Sequence, residues 1–306
     1  MMARHRKWKI GRRARWSYWL VLVLLAVGCS GPSQTITPSP ASTPTVTATP
    51  TAPSPSPVPS PSVSPGGSAI EVPAAGEPVT LPLHILAHVG QPGDQVTALL
   101  RWQDGSERSF QFTVLADEHG EGLVIGTPPW WPDVPPQPPA QAATLSIRDS
   151  TNRVLAEQPV MVLSPSDPGT QAIQLYWTVS GTDLTRPETR HIVRTERVGA
   201  AALRELLWGP PPMSQIGYET ALPTPEQVLR FPGRQPGWGS RVILLGLTIE
   251  DGVATANFSK EMRAYGGGSL RVKLIRDQIS QTLRQFPSVR EVRIAIEGET
   301  EGVLEP

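Results

Sequence analysis

Apolar and polar residues alternate with a period near two through much of residues 81–163, the pattern of strands buried on one face. The candidate strands are 81–89, 96–102, 108–115, 122–126, 143–148 and 154–163. Gln103-Asp-Gly-Ser106 joins the second to the third, and Asp149-Ser-Thr-Asn152 joins the last two. Both links have hairpin-turn chemistry. Six short strands with turn signals and no helical stripe predict a small β-sandwich over residues 76–165.

The pattern changes over residues 170–306. Ala172-Ile-Gln-Leu-Tyr-Trp-Thr-Val179 reads as a strand. Residues 198–208 read as a short helix, with Ala201, Leu203, Leu206 and Leu207 apolar, and Gly209-Pro-Pro-Pro212 stops it. Strands at 242–249 and 253–258 flank the tight turn Glu250-Asp-Gly252. A longer helix is predicted over 269–286 from the stripe Leu270, Leu274, Ile275, Ile279, Leu283 and Phe286. Residues 289–296 form the last strand. The order β-α-β-β-α-β predicts a compact two-layer α/β domain, so the whole chain is α+β. Both alternating sets of 242–249 are largely apolar. A sheet wet on one side shows clean alternation, so the open face is expected to be covered.

Several of these residues carry a family pattern. Leu203-Arg-Glu-Leu-Leu-Trp-Gly-Pro210, Gly217-Tyr-Glu-Thr-Ala-Leu-Pro223, Ile249-Glu-Asp-Gly-Val-Ala-Thr-Ala-Asn-Phe-Ser-Lys260 and Gln278-Ile-Ser-Gln-Thr-Leu-Arg-Gln-Phe-Pro-Ser-Val289 resemble, in order, four blocks of the GerMN domain family. The ending Gly302-Val-Leu-Glu-Pro306 fits its tail. The resemblance implies a sporulation and spore-germination domain of extracytoplasmic bacterial lipoproteins, acting in assembly or interaction and not as a catalyst. The chain departs from the pattern at 224–240, where the family has a short link. Phe231 and Trp238 in this insert are candidate partner-binding anchors. The sandwich is loosely similar to the immunoglobulin-like modules of bacterial surface proteins.

The N-terminus sets the expected location. Arg4, Arg6, Lys7, Lys9, Arg12, Arg13 and Arg15 precede the apolar run Trp16-Ser-Tyr-Trp-Leu-Val-Leu-Val-Leu-Leu-Ala-Val-Gly-Cys29. This is a secretion leader, with an apolar core shorter than the roughly 20 residues that span a bilayer. Cys29, the single cysteine, follows the small Gly28, where a lipoprotein leader is cut and the new terminus acylated. Residues 1–28 are therefore expected to be a lipoprotein signal peptide and Cys29 the lipid attachment site. An uncleaved anchor and plain secretion are the competing readings, and all three place the remainder outside the cytoplasm. Residues 30–70 contain no charge and are dominated by Ser, Thr and Pro. Residues 29–75 are accordingly expected to be an extended, disordered stalk.

Charge narrows the partners. Residues 1–28 hold seven of the 27 basic residues and none of the 27 acidic ones, which leaves 20 against 27, a net of −7. That balance argues against nucleic acid. The expected partners are the membrane, through the lipid on Cys29, and envelope proteins or wall polymer. In the proline-rich loop 127–139, Trp130 and Trp131 are candidates for stacking on a sugar or docking a partner, or else for covering the sandwich edge.

No Gly-x-Ser-x-Gly or His-Glu-x-x-His motif is present. His84 and His88 lie about 13 Å apart along a strand, so they read as surface or core histidines. Gly266-Gly-Gly-Ser269 reads as a flexible lead-in with Ser269 as helix cap. No cofactor or metal is expected. The expected function is a non-catalytic, membrane-anchored interaction or assembly module of the envelope. The alternatives are a cell-wall-acting enzyme and a small-ligand-binding lipoprotein.

Overall fold

The structure is a computed structural model that describes residues 68–132, 140–212 and 217–305. The leader, Cys29 and the Ser/Thr/Pro segment up to residue 67 lie outside the described residues. Among those described, no helix is long and apolar enough to cross a membrane.

Nine strands build the first part: β1 Ala69–Val72, β2 Pro78–Thr80, β3 Ile85–His88, β4 Gln95–Trp102, β5 Glu107–Thr113, β6 Leu115–Ala116, β7 Gly122–Gly126, β8 Ala140–Arg148 and β9 Val154–Leu163. They form two sheets, ordered β1-β3-β7-β6 and β2-β9-β8-β4-β5. One core joins the sheets: Ile85, Ala87 and Val124 from the first meet Ala98, Leu100, Leu145, Ile147 and Val160 from the second. In β9 the alternation is regular, with Ala156, Gln158, Val160 and Val162 buried and Glu157, Pro159 and Met161 exposed.

The folded part begins at β1, inside the segment 29–75 expected to be stalk. Ile70 pairs with Ala87 and packs on the core. A four-residue strand beside a long uncharged tract has too little pattern of its own to be read from sequence.

The second part holds two three-stranded sheets. One is ordered β11-β10-β12, from β10 Thr170–Val179, β11 Thr185–Val193 and β12 Tyr218–Glu219. The other is ordered β13-β14-β15, from β13 Leu244–Glu250, β14 Val253–Phe258 and β15 Glu291–Ile296. The helices are α1 Val198–Leu207, α2 Pro225–Leu229 and α3 Gly268–Arg284. α1 packs on β10, β13 and α3, and α3 packs on β10 and β15, so the helices touch both sheets. β14 and β15 are parallel, and α3 supplies the crossover that parallel pairing needs.

The expected β-α-β-β-α-β order therefore lacks β11 and β12. β11 pairs with β10 along its whole length. Its sequence, Thr-Arg-Pro-Glu-Thr-Arg-His-Ile-Val, hides it, because a proline and four ionisable residues fit only an edge strand.

Two close approaches fix the second part. Asp251 and Gly252 both take positive φ, 48° and 82°, the two-residue hairpin geometry expected of Asp-Gly. At Gly199, a Cβ would come within 3.0 Å of the Leu247 side chain, so glycine lets α1 lie close on β13.

α3 also closes a sheet edge. β12 covers the inner side of β10 only at Thr178 and Val179. Next to it, Gln285 bonds both the N–H and the carbonyl of Gln174, at 2.8 Å each. Thr282 Oγ1 accepts from the Tyr176 N–H at 3.3 Å, and Gln278 Nε2 donates to the Tyr176 carbonyl at 3.0 Å. Gln278 Oε1 also accepts from the Ala221 N–H at 2.7 Å. These side chains replace a missing neighbouring strand, and Gln278 and Thr282 are buried as a result. By contrast Leu270, placed in the apolar stripe from sequence, is 52 % exposed in the first turn of α3. The helix starts at Gly268 with Gly267 as its N-cap, so Ser269 is not the cap.

Candidate functional site

The densest polar cluster lies where the two parts meet. His84 stands just before β3. Its Nδ1 is 2.8 Å from Thr127 Oγ1, at the end of β7, and its Nε2 is 2.9 Å from Glu205 Oε2 on α1. The imidazole stacks on Trp208 with centroids 4.7 Å apart and planes 2° from parallel. On the indole of Trp208 also lies the Arg241 guanidinium, at 4.7 Å. A carboxylate can only accept, so Nε2 carries a proton and, in the neutral ring, Nδ1 accepts from the threonine hydroxyl.

Arg190 lies behind this contact and is 2 % exposed. Its guanidinium is 3.7 Å from both Glu188 and Glu205 and faces Trp131 at 5.7 Å. None of its nitrogens makes a hydrogen bond among the described residues, so charge and the indole face hold it. Trp177 Nε1 donates to Glu188. Burial pushes the Glu205 carboxyl upward. The His84 charge and hydrogen bond, with Arg190, more than offset this, and its pKa ends below the usual value.

The order hydroxyl–imidazole–carboxylate has the makings of an activated nucleophile. Here Thr127 is buried, 5 % exposed. The neighbouring cleft, lined by Pro73, Pro82, Leu83, Ile192 and Ala201 among others, is largely apolar. The geometry suits a strut between the two parts. Sequence reading treated His84 as an ordinary strand histidine. Its partners are 43 and 121 residues away, and no local signal points to them. His88 is elsewhere, within 3.4 Å of Glu71 and 3.6 Å of Asp117. Among the described residues no group of three or more His, Cys, Asp or Glu is arranged to hold a metal ion.

The aromatic candidates are placed as follows. Trp130 is buried in the first core, and its Nε1 donates to the Ser109 carbonyl at 3.4 Å. Trp131 covers Arg190, and its carbonyl accepts from Arg108. In the insert, Thr224 and Gln227 form a reciprocal capping box that starts α2. Phe231 stacks on Trp238 at 5.9 Å, and Trp238 is buried in the second core. The Trp238 carbonyl accepts from Arg234 Nη2 at 2.7 Å. Trp130 and Trp238 thus spend their rings on internal packing, and only Phe231 of the insert pair keeps partial exposure.

The exposed apolar surface lies on β13. Leu245 and Ile249 of the strand are 50 and 41 % exposed, and Ile243 just before it is 47 % exposed. The sequence expectation was a covered face, and among the described residues nothing covers it. A bulge between Leu244 and Gly246 shifts the register. Leu247 and Ile249 thereby lie opposite the buried Ala256 and Ala254, while Thr248 lies opposite Thr255. An extra residue in one strand reverses which side chains face inward, so a uniform alternation read through 242–249 fails there. The β14 pattern beside it is regular, with Ala254, Ala256 and Phe258 buried.

These features define a two-part extracore scaffold: a two-sheet β domain braced against an α+β domain that presents an open edge strand. Residues 174–302 match the family model Germane, sporulation and spore germination, so the second domain carries that family's pattern. Among solved structures, the chain is similar to the first GerMN domain of the sporulation protein GerM from Bacillus subtilis. The identity is 22 %, with 44 % of this chain and 92 % of that one covered, at a TM-score of 0.33. The tandem GerMN domains of the same protein give 23 % identity over 43 % and 40 % of the chains, also at 0.33. A putative lipoprotein from Clostridium perfringens gives 20 % identity over 45 % and 81 %, at 0.27. Comparison with curated proteins returned no match.

Proposed function

We propose that the protein is a non-catalytic interaction and assembly module of the cell envelope, anchored outside the cytoplasm by lipid on Cys29. The two-sheet domain, read here as immunoglobulin-like, acts as a spacer that carries the Germane-type domain. The observation behind this reading is the open, apolar edge strand β13 on a domain of that family. Burying a large apolar side chain is worth roughly 1.5–3 kcal/mol, so half-exposed Leu245 and Ile249 on β13, with Ile243 just before it, favour association.

Two variants test the reading. Cys29→Ser is expected to release the protein from the membrane fraction or to block its processing. Leu245→Lys is expected to remove capture of envelope proteins while the circular dichroism of the chain stays unchanged. Unaltered membrane attachment in the first variant would refute the anchor, and unaltered capture in the second would refute the contact surface.

A further inference from the structure

We infer that β13 is the site at which a second copy of this chain docks, by antiparallel strand addition edge to edge. The inference rests on the interaction-module reading and names the partner. β13 ends its sheet, pairs with β14 on one side, and receives no ladder bond on the other side among the described residues. Such a row of open N–H and C=O groups is a template for another strand. Edge strands are commonly blunted by charge or proline, yet residues 242–249, Val-Ile-Leu-Leu-Gly-Leu-Thr-Ile, hold neither. The bulge between Leu244 and Gly246 twists one end, and Leu247 to Glu250 pair in regular register.

The ends of the strand identify the partner. Arg241 precedes it, and Glu250 and Asp251 close it. Arg241 lies on the face of Trp208 at 4.7 Å and is half-buried there. Glu250 and Asp251 are exposed. Antiparallel addition of an identical strand brings the basic end of each copy to the acidic end of the other. It also places the exposed Leu245, next to Gly246, at the centre of the contact in both copies. A parallel copy would place like charges together, which costs binding. Each copy makes the same contact with the same patch, so the assembly closes as a two-fold dimer.

Gly246, in the middle of the segment 242–250, lies near the two-fold axis. A Cβ built there meets no atom within 4 Å, so cysteine fits. The test uses the full chain in its own membranes with Gly246→Cys and a short bis-maleimide. The unchanged chain controls for Cys29, and Thr151→Cys, on an exposed sandwich turn, controls for random collision. Gly246→Cys is expected to give a covalent dimer at least about tenfold above both controls, and adding Leu245→Lys is expected to remove it. A dimer yield no higher than either control, or one untouched by Leu245→Lys, overturns the inference. If Gly246→Cys gives no dimer while Leu245→Lys still abolishes capture of other envelope proteins, pairing with a second copy is refuted and the module reading stands. If capture is also untouched, both are refuted.

Discussion

Replacing His84 by alanine tests whether the two parts act as one body. The change removes the Glu205 contact at 2.9 Å, the Thr127 contact at 2.8 Å and the stack on Trp208. A hydrogen bond to a charged group contributes about 1.5–3 kcal/mol and a neutral one about 0.5–1.5. The side chains of His84 and Glu205 are 10 and 22 % exposed, so solvent screening is modest. A loss of about 3 kcal/mol is expected, measured by urea unfolding of residues 68–306 at pH 7. In a double-mutant cycle with Glu205→Gln, a coupling of about 1–3 kcal/mol is expected.

The pH dependence has a definite sign. The Glu205 carboxyl is held below its ordinary value in the folded state. Its contribution is therefore complete above the unfolded pKa of 4.5 and is lost as pH falls through the lower folded value. The Glu205 part of the His84→Ala penalty should then be lost as pH falls below 4.5. The strut reasoning fails if coupling stays under about 0.5 kcal/mol, or if the penalty is undiminished well below pH 4.5.

Two further outcomes follow from the geometry. Gln278→Leu strands the Tyr176 carbonyl and the Ala221 N–H in the core. A loss of about 2–5 kcal/mol is expected in thermal or urea unfolding, and a loss below about 1 kcal/mol would remove the edge-closing role. In the hairpin turn at Asp149, the Thr151 hydroxyl lowers the carboxyl most, burial pushes it upward, and the Arg153 and Thr151 N–H groups and the Arg153 side chain bring it down to about 2. This turn should keep its amide protection above pH 4 and lose it as pH falls toward 2, read by hydrogen exchange at Thr151 and Arg153. Protection that is unchanged at pH 2 would contradict the turn's dependence on the ionised carboxylate.

Local chemistry made much of the fold legible. Asp-Gly at 104–105 and 251–252 marks turns that the backbone makes with positive φ, and α1 ends where Gly209-Pro-Pro-Pro212 stops it. Elements defined by a distant partner were not legible. β1 exists because Ile70 meets Ala87, and β11 because β10 offers it nine consecutive pairs. Gln278 and Thr282 stand out in the family pattern, but their purpose, finishing the open side of β10, needs the position of a strand 102 to 106 residues away. In the same way the Ser259 hydroxyl accepts from the Ile243 N–H at 3.0 Å, a partner 16 residues away.

The candidate surface shows the same division. From sequence, large aromatics in a loop and an insert looked like contact residues, since an exposed tryptophan is costly and therefore useful. The structure spends Trp130 and Trp238 on the two cores and leaves aliphatic residues of β13 in water instead. One bulge decides this, because shifting the register by one residue moves every later side chain to the other face. A bulge leaves no fixed mark in composition or spacing, and Leu244-Leu-Gly-Leu247 reads equally well with or without one. The rest of the sheet had no such ambiguity. Polar Thr255 and Asn257 alternate with buried Ala254, Ala256 and Phe258 and tie β14 to a single register. An edge strand free of that constraint can carry apolar residues on both faces without unfolding its sheet, and it is there that selection can retain a contact surface at little cost to the fold.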